Sequence, residues 1–337
     1  MMSTHLSTEV ETNTNCVGRV VLTVLFCLAA ILQSGLRDIS KLPDYNDTPV
    51  YQAKYNQLLI TPWGSVFDDF TIFSSEYDVR DSGYEVFMKL TQLVSHKFIF
   101  FMFITAILFI VPFGLLVNRY AKSYLGIVLS FAIYFSIFTT IVNSFMRQAI
   151  ALGVVLFSTK YVVKRDWKSF FLLALFNLTI HSSSVIAIPL YFLPRLSDSR
   201  KWIVLSLFLL PVLFYFHTTL FSFFLRGSVY SSYMETEAVS PINYMLLLSA
   251  IVLLALVFFQ KIKSINGFEL FIGGVIGVVL LMPLVFMGNA ILRISYYYVV
   301  LLIPFVSVVI DSIRINPSIR LLVYLVSISF FLYLSFT

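Results

Sequence analysis

The chain has 337 residues, 59% of them hydrophobic and only 12% charged, against about 25% charged in soluble domains. That excludes a soluble globular enzyme and places the chain among integral membrane proteins, with apolar runs through nearly its whole length and no soluble region large enough to fold alone. The net charge of +6 comes from lysines and arginines beside apolar runs, where charge sets topology, so nucleic acid is not an expected partner. Cys16 and Cys27 lie in or beside the first run, which excludes a disulfide framework and a metal-ligand spacing.

Residues 1–16 form a polar leader rich in Ser, Thr and Asn, expected to be disordered on the cytoplasmic side, and 17–337 are expected to form one integral membrane domain. The first apolar run, 17–35, carries Arg19 near its start and reads as an uncleaved anchor. Residues 37–97 then form a long acidic outer loop, with Asp38, Asp47, Asp81 and Glu85 among its acids. Its aromatics, including Tyr51, Tyr55, Trp63 and Tyr84, suit interface packing or stacking on sugar rings. Spans follow at 98–117, 124–141, 145–163, 202–217, 242–259, 268–287, 294–310 and 319–336. Each is near the ~20 residues that cross ~30 Å of hydrocarbon. A second long outer loop is expected at 218–241.

Residues 169–193 are apolar but interrupted by Asn177, His181, three serines and Pro189. Loop charge decides how they run. The short loops holding Arg119 and Lys122, Lys164 to Lys168, Arg195 to Lys201, Lys261 and Lys263, and Arg314 and Arg320 are basic and therefore expected to be cytoplasmic. The segment from Lys168 to Arg195 thus enters and returns on one side, as two short helices turning near His181. Helices of about 12 residues reach only ~18 Å, so the turn lies at membrane depth, where protein or water must cover the broken backbone. The expected fold is all-α and polytopic, with about 10–11 membrane segments including this broken pair and the N-terminus inside.

Three residues stand out on the outer side. Arg147 lies in apolar sequence with no acid nearby in the chain, and is consistent with snorkelling or with capture of a lipid-linked phosphate by its planar donors. His181 either satisfies the turn through its serine neighbours or serves as a base or proton shuttle. Arg293 opens a span beside Tyr296 to Tyr298, as an interface anchor or a second phosphate ligand. Arg226, Tyr230 and Tyr233 fall in the second outer loop, suited to phosphate or sugar contacts. His96 and His217 read as boundary residues. No nucleotide loop, HExxH, paired-cysteine site or GxSxG elbow occurs, so no cofactor and no metal are expected.

In order, the chain carries Asp47, Tyr51 and Tyr55; Asp81-Ser82-Gly83-Tyr84-Glu85; Arg147-Gln148-Ala149-Ile150-Ala151; His181-Ser182-Ser183 to Pro189; Tyr230 to Tyr233; and Arg293, Tyr297 and Pro304. This series resembles the Wzy-type polysaccharide polymerases, most closely their EpsG-like branch, over about residues 44–304. Where members of that family often carry Glu-Pro-Gly-Tyr, this chain has Asp81-Ser82-Gly83-Tyr84, which argues against a role for a glutamate at that place.

The resemblance implies a GT-C-like architecture in the bacterial inner membrane. It implies transfer of a growing glycan from undecaprenyl diphosphate to a sugar hydroxyl of a new lipid-linked repeat unit on the periplasmic side, as in O-antigen assembly. Donor and acceptor lipids, the bilayer and a chain-length regulator are the implied partners. Arg147, His181 and Arg293 would be catalytic, with Asp47 or Glu85 as the alternative base, and Gln148, Tyr51, Tyr84, Arg226, Tyr230, Tyr233 and Tyr297 would join the arginines in binding substrate. A lipid-linked-oligosaccharide flippase is the competing transport class, but no internal repeat is visible. A membrane acyltransferase modifying a surface glycan is the competing enzyme class, and its early histidine-arginine constellation is missing from Arg19 to Arg37.

Overall fold

The computed structural model describes residues 2–41, 46–68, 70, 81–193, 200–225, 242–263, 267–287 and 292–336. Among the described residues every regular element is helical. Eight helices are long and apolar enough to cross a membrane, and three shorter apolar helices, Trp167–Ile180, Ser182–Tyr191 and Tyr244–Val257, accompany them. The chain is therefore an all-α polytopic membrane protein, as its hydropathy requires.

Helix α1 (Met2–Gly35) starts well before its apolar part. Residues 2–15 thus continue a helix where composition leads one to expect disorder, and extending a helix that is already nucleated costs far less than starting one. Three helices, α2 (Thr48–Ile60), α3 (Trp63–Asp68) and α4 (Ser82–Gln92), then replace much of the expected loop. They are tied by side chains that satisfy open helix ends: Lys89 Nζ donates to the carbonyls of Leu58 and Thr61, and Gln92 Nε2 to that of Tyr55. Their apolar faces join α5 (Phe98–Tyr120) and α8 (Met146–Lys164) in a small core containing Tyr51, Tyr55, Tyr84, Phe101, Met146 and Ile180.

The third span runs through α6 (Tyr124–Ile133), a π-helical stretch at Tyr134–Phe138 and α7 (Thr139–Ser144). The stretch turns Tyr134 and Phe138 into an aromatic stack with Phe109 and Phe113 of α5. Helix α8 lies directly on α5 because Gly153 has no side chain; a Cβ there would run into the carbonyl group of Leu108. The most enclosed spans follow α10 (Arg200–Leu225), α11 (Ile242–Val257) and α12 (Phe259–Lys263): they are α13 (Phe268–Leu281) and α14 (Tyr296–Ser312). Helices α1, α10 and α15 (Pro317–Phe336) are mostly exposed over their apolar windows, as lipid-facing helices must be.

The broken pair forms as loop charge predicts. Helix α9 (Trp167–Ile180), capped by Asp166, ends at an extended His181, and a 3₁₀ helix (Ser182–Tyr191) returns. Tyr191 comes back to the entry point, its ring 5.1 Å from that of Phe170 and its hydroxyl donating to the Arg165 carbonyl at 3.1 Å. Asn177 Nδ2 pins the hairpin to α8 through the Ala151 carbonyl, 3.1 Å away. The basic loops gather at this same end: Arg19 donates to the Ala121 and Lys122 carbonyls, and Lys261 to that of Ser312. The hairpin tip lies at the other end, beside the starts of α4 and α8.

Gly153→Ala should destabilise the protein, because the obstructing atoms are backbone and cannot rotate away. An overpacking cost of about 1–3 kcal/mol outweighs the roughly 1 kcal/mol that alanine gains over glycine in a helix. A lower thermal midpoint in detergent is the expected result; an unchanged one would contradict this helix contact.

Candidate functional site

Asp81 stands at the N-cap of α4, yet its side chain caps nothing there. An aspartate in that position ordinarily accepts a hydrogen bond from its own helix. Here the backbone is left-handed, φ 60°, and the carboxylate serves other elements. Oδ1 accepts from the Ser182 backbone N–H at 2.9 Å, while Oδ2 lies 3.2 Å from Arg147 Nη1 and 3.1 Å from His181 Nδ1. The carboxylate thus covers the broken backbone at the hairpin tip and neutralises charge in one stroke. Strain of this kind persists only where surrounding contacts hold it, and such places are often functional.

Glycine at position 83 makes the approach possible. A Cβ there would overlap Oγ1 of Thr179, with the Thr179 carbonyl oxygen also in the way at 2.7 Å, so only a bare backbone lets α4 reach the tip of α9. Asp81 is fully buried, whereas the Arg147 and His181 side chains are 16% and 15% exposed. The acid is therefore interior support, and Arg147 and His181 retain a face toward the surface. Burial alone would raise the Asp81 carboxyl. The His181 ring, the Arg147 charge and the Ser182 N–H overcome it and hold the group down at about 2.

The other expected residues divide. Gln148 Nε2 donates to the Arg293 carbonyl at 2.8 Å, and the Arg293 guanidinium carbon lies 3.7 Å from the Phe145 ring centroid, so both arginines flank the start of α8. Tyr297 is buried, its hydroxyl 3.3 Å from Ser183 Oγ. Tyr51 and Tyr84 are buried too, so of the two roles their composition suits, packing and stacking on sugar rings, they serve packing. Tyr51 instead lies beneath the Arg147 guanidinium, 5.6 Å from ring centroid to Cζ, and meets Tyr84 edge to face. They pack into the small core because an aromatic face beside a buried cation is worth more there than in water.

Glu85 is engaged with Lys54 at 2.8 Å, on half-exposed surface. Asp47 marks the start of α2. Asp81 is the acid that contacts both Arg147 and His181. Arg226, Tyr230 and Tyr233 lie outside the described residues. Asp81 itself goes unassigned in the sequence reading, although the acid before Gly83-Tyr84 is its one visible signal.

Replacing Asp81 by Asn keeps the shape and removes the charge. Breaking a buried pair this way costs about 3–5 kcal/mol. Because the native carboxyl is depressed, its contribution is fully present above the unfolded value of about 4 and is lost as pH falls through about 2. The wild-type advantage over Asp81→Asn in thermal unfolding should therefore hold from mildly acid to neutral pH and shrink only in strong acid; an advantage that vanished near neutrality would contradict the assignment.

The sequence model of the EpsG family matches residues 21–337. No curated protein and no solved structure matches the chain. The match includes Asp81, Arg147, His181 and Arg293, the residues that converge at the hairpin tip, and it runs through every span from the first to the last: the chain belongs to the EpsG family.

Proposed function

We propose that the chain is a membrane glycosyltransferase that polymerises a surface polysaccharide of O-antigen type, moving a growing glycan from undecaprenyl diphosphate to a lipid-linked repeat unit. Family membership supports the polysaccharide-polymerase class. The single observation that carries the finer reading is the buried carboxylate of Asp81, which holds a guanidinium and an imidazole side by side at one end of the bundle. The basic loops lie at the opposite end, and positively charged loops stay in the cytoplasm. That orientation supports a site on the outer, periplasmic face of the inner membrane.

The geometry supports the following chemistry. Arg147 and Arg293 take the leaving diphosphate, whose charge grows as the anomeric C–O bond breaks and the bonding pair stays on phosphate. The acceptor hydroxyl oxygen forms the new glycosidic bond, and its proton passes to Nε2 of His181. Asp81, accepting from Nδ1–H, fixes that tautomer and stabilises the imidazolium that forms, the part an aspartate plays beside histidine in many acid–base pairs. Gln148 and the buried Tyr51 hold the two arginines in register.

Two substitutions test this. Arg147→Lys keeps the charge that pairs with Asp81 but loses the planar fork, and should leave membrane insertion intact while abolishing long glycan. His181→Gln should lower polymerisation by roughly 10²–10⁴-fold, the usual contribution of a positioned acid–base group, while single-repeat capped lipopolysaccharide persists. Normal ladders on gels in either variant would overturn the corresponding role, and accumulation of repeat units on the inner face would point to a flippase instead.

A further inference from the structure

Helix α2 has two faces. Tyr51, Tyr55 and Leu58 face the small core beneath Arg147. On the other face, Gln52 and Asn56 line an open groove of about 800 Å³, closed by the end of α1 and the start of α5. Arg37, His96 and Lys97 supply its cations, and Ile99 and Met102 of the membrane span α5 form an apolar wall.

Arg37 is the built part of this groove. Its guanidinium is half-buried and anchored by neutral groups: the Ser34 carbonyl, Thr48 Oγ1 at 3.4 Å and Met146 Sδ at 3.6 Å. Among the described residues no carboxylate lies within ion-pair distance of it, and its buried Nε has no hydrogen-bond partner. Asp38 also lines the groove, but its carboxylate is taken up by Lys41 at 3.3 Å and by Ser40. Burial pushes the Arg37 guanidinium down only to about 10, so it stays charged at neutral pH. A half-buried cation without an acid is costly unless an anion faces it.

The depth of the groove says what kind of anion. Arg37 follows directly on the apolar segment Cys16–Gly35, and Lys97 precedes α5, so both cations lie where two spans leave the hydrocarbon. Leu36 and Ile99 are exposed beside them, on surface that suits an aliphatic chain. A phosphate head with a hydrocarbon tail matches cations above an apolar wall; a soluble anion would leave that wall unused. We propose that this groove is a second lipid-phosphate subsite, which holds the polyprenyl phosphate head of one substrate while Arg147 and Arg293 hold the other.

This rests on the polymerase reading, which needs two lipid-linked substrates at once. The wall between the two subsites is thin: Met146, which touches Arg37, immediately precedes Arg147, and Thr48 at the start of α2 donates to the Asn143 carbonyl. Two heads could thus lie on either side of one helix, with their glycans meeting above it.

The test uses full-length protein in phosphatidylcholine nanodiscs with benzoylphenylalanine in place of Asn56, and undecaprenyl diphosphate as the probe. Ultraviolet light should give a lipid adduct, lowered roughly tenfold by Arg37→Gln with Lys97→Gln, as expected for loss of charge-assisted contacts. The pair His96→Gln and Lys97→Gln, both exposed, guards against misfolding at Arg37 and should still lower the yield. An adduct indifferent to these cations, one given equally by phosphatidylglycerol, or one displaced by inorganic pyrophosphate at equal concentration would each overturn the proposal. The Arg147→Lys variant separates the two readings. It should keep the adduct, and if it polymerised normally the mechanism at Arg147 would fall while the groove assignment stood.

Discussion

A carboxylate with no access to water joins three parts of the chain that are far apart in sequence. Asp81 reaches Arg147, 66 positions away, and both His181 and the Ser182 N–H, about 100 positions away. Each partner has its own electrostatic problem. Arg147 is a permanent charge at the mouth of a membrane helix, and Ser182 exposes a backbone donor at a helix break. One buried acid addresses both, and its own burial is tolerated only because both are present.

The rest of the architecture delivers these groups to a common point. Gly83 lets α4 touch the hairpin, and Gly153 lets α8 lie against α5, so the start of α8 is carried up to the small core. Tyr51 and Tyr84 fill the space behind Arg147. The segment between the first two spans is consequently a helical cap with a wet face and a dry one. That division lets one short helix support the Asp81 site on one side and border the Arg37 groove on the other.

Much was legible in the sequence because it depends on local chemistry. Apolar runs near twenty residues gave the spans, and basic loops required the segment around His181 to return to its starting side, as Tyr191 and Arg165 now do. Arg147, His181 and Arg293 stood out because each is polar in apolar surroundings, and the tertiary structure gathers them around the start of α8. Whether Tyr51 and Tyr84 pack or stack on sugar rings was not legible, since aromatic composition does not distinguish a solvated loop from helices folded onto a core.

Asp81 and Arg37 escaped notice for one physical reason. Each sits among polar residues in the chain, where a charge costs nothing and attracts no attention; burial, and with it the need for a partner, arises only when α4 and the end of α1 pack against α8. The sequence by itself determined that this protein lives in a membrane, roughly where its apolar helices run, and that Arg147 faces an energetic problem, because these follow from local composition. Which acid answers Arg147, and which arginine is left facing a groove, was decided only by tertiary packing, because electrostatic partnership depends on distance in space and burial rather than on order along the chain.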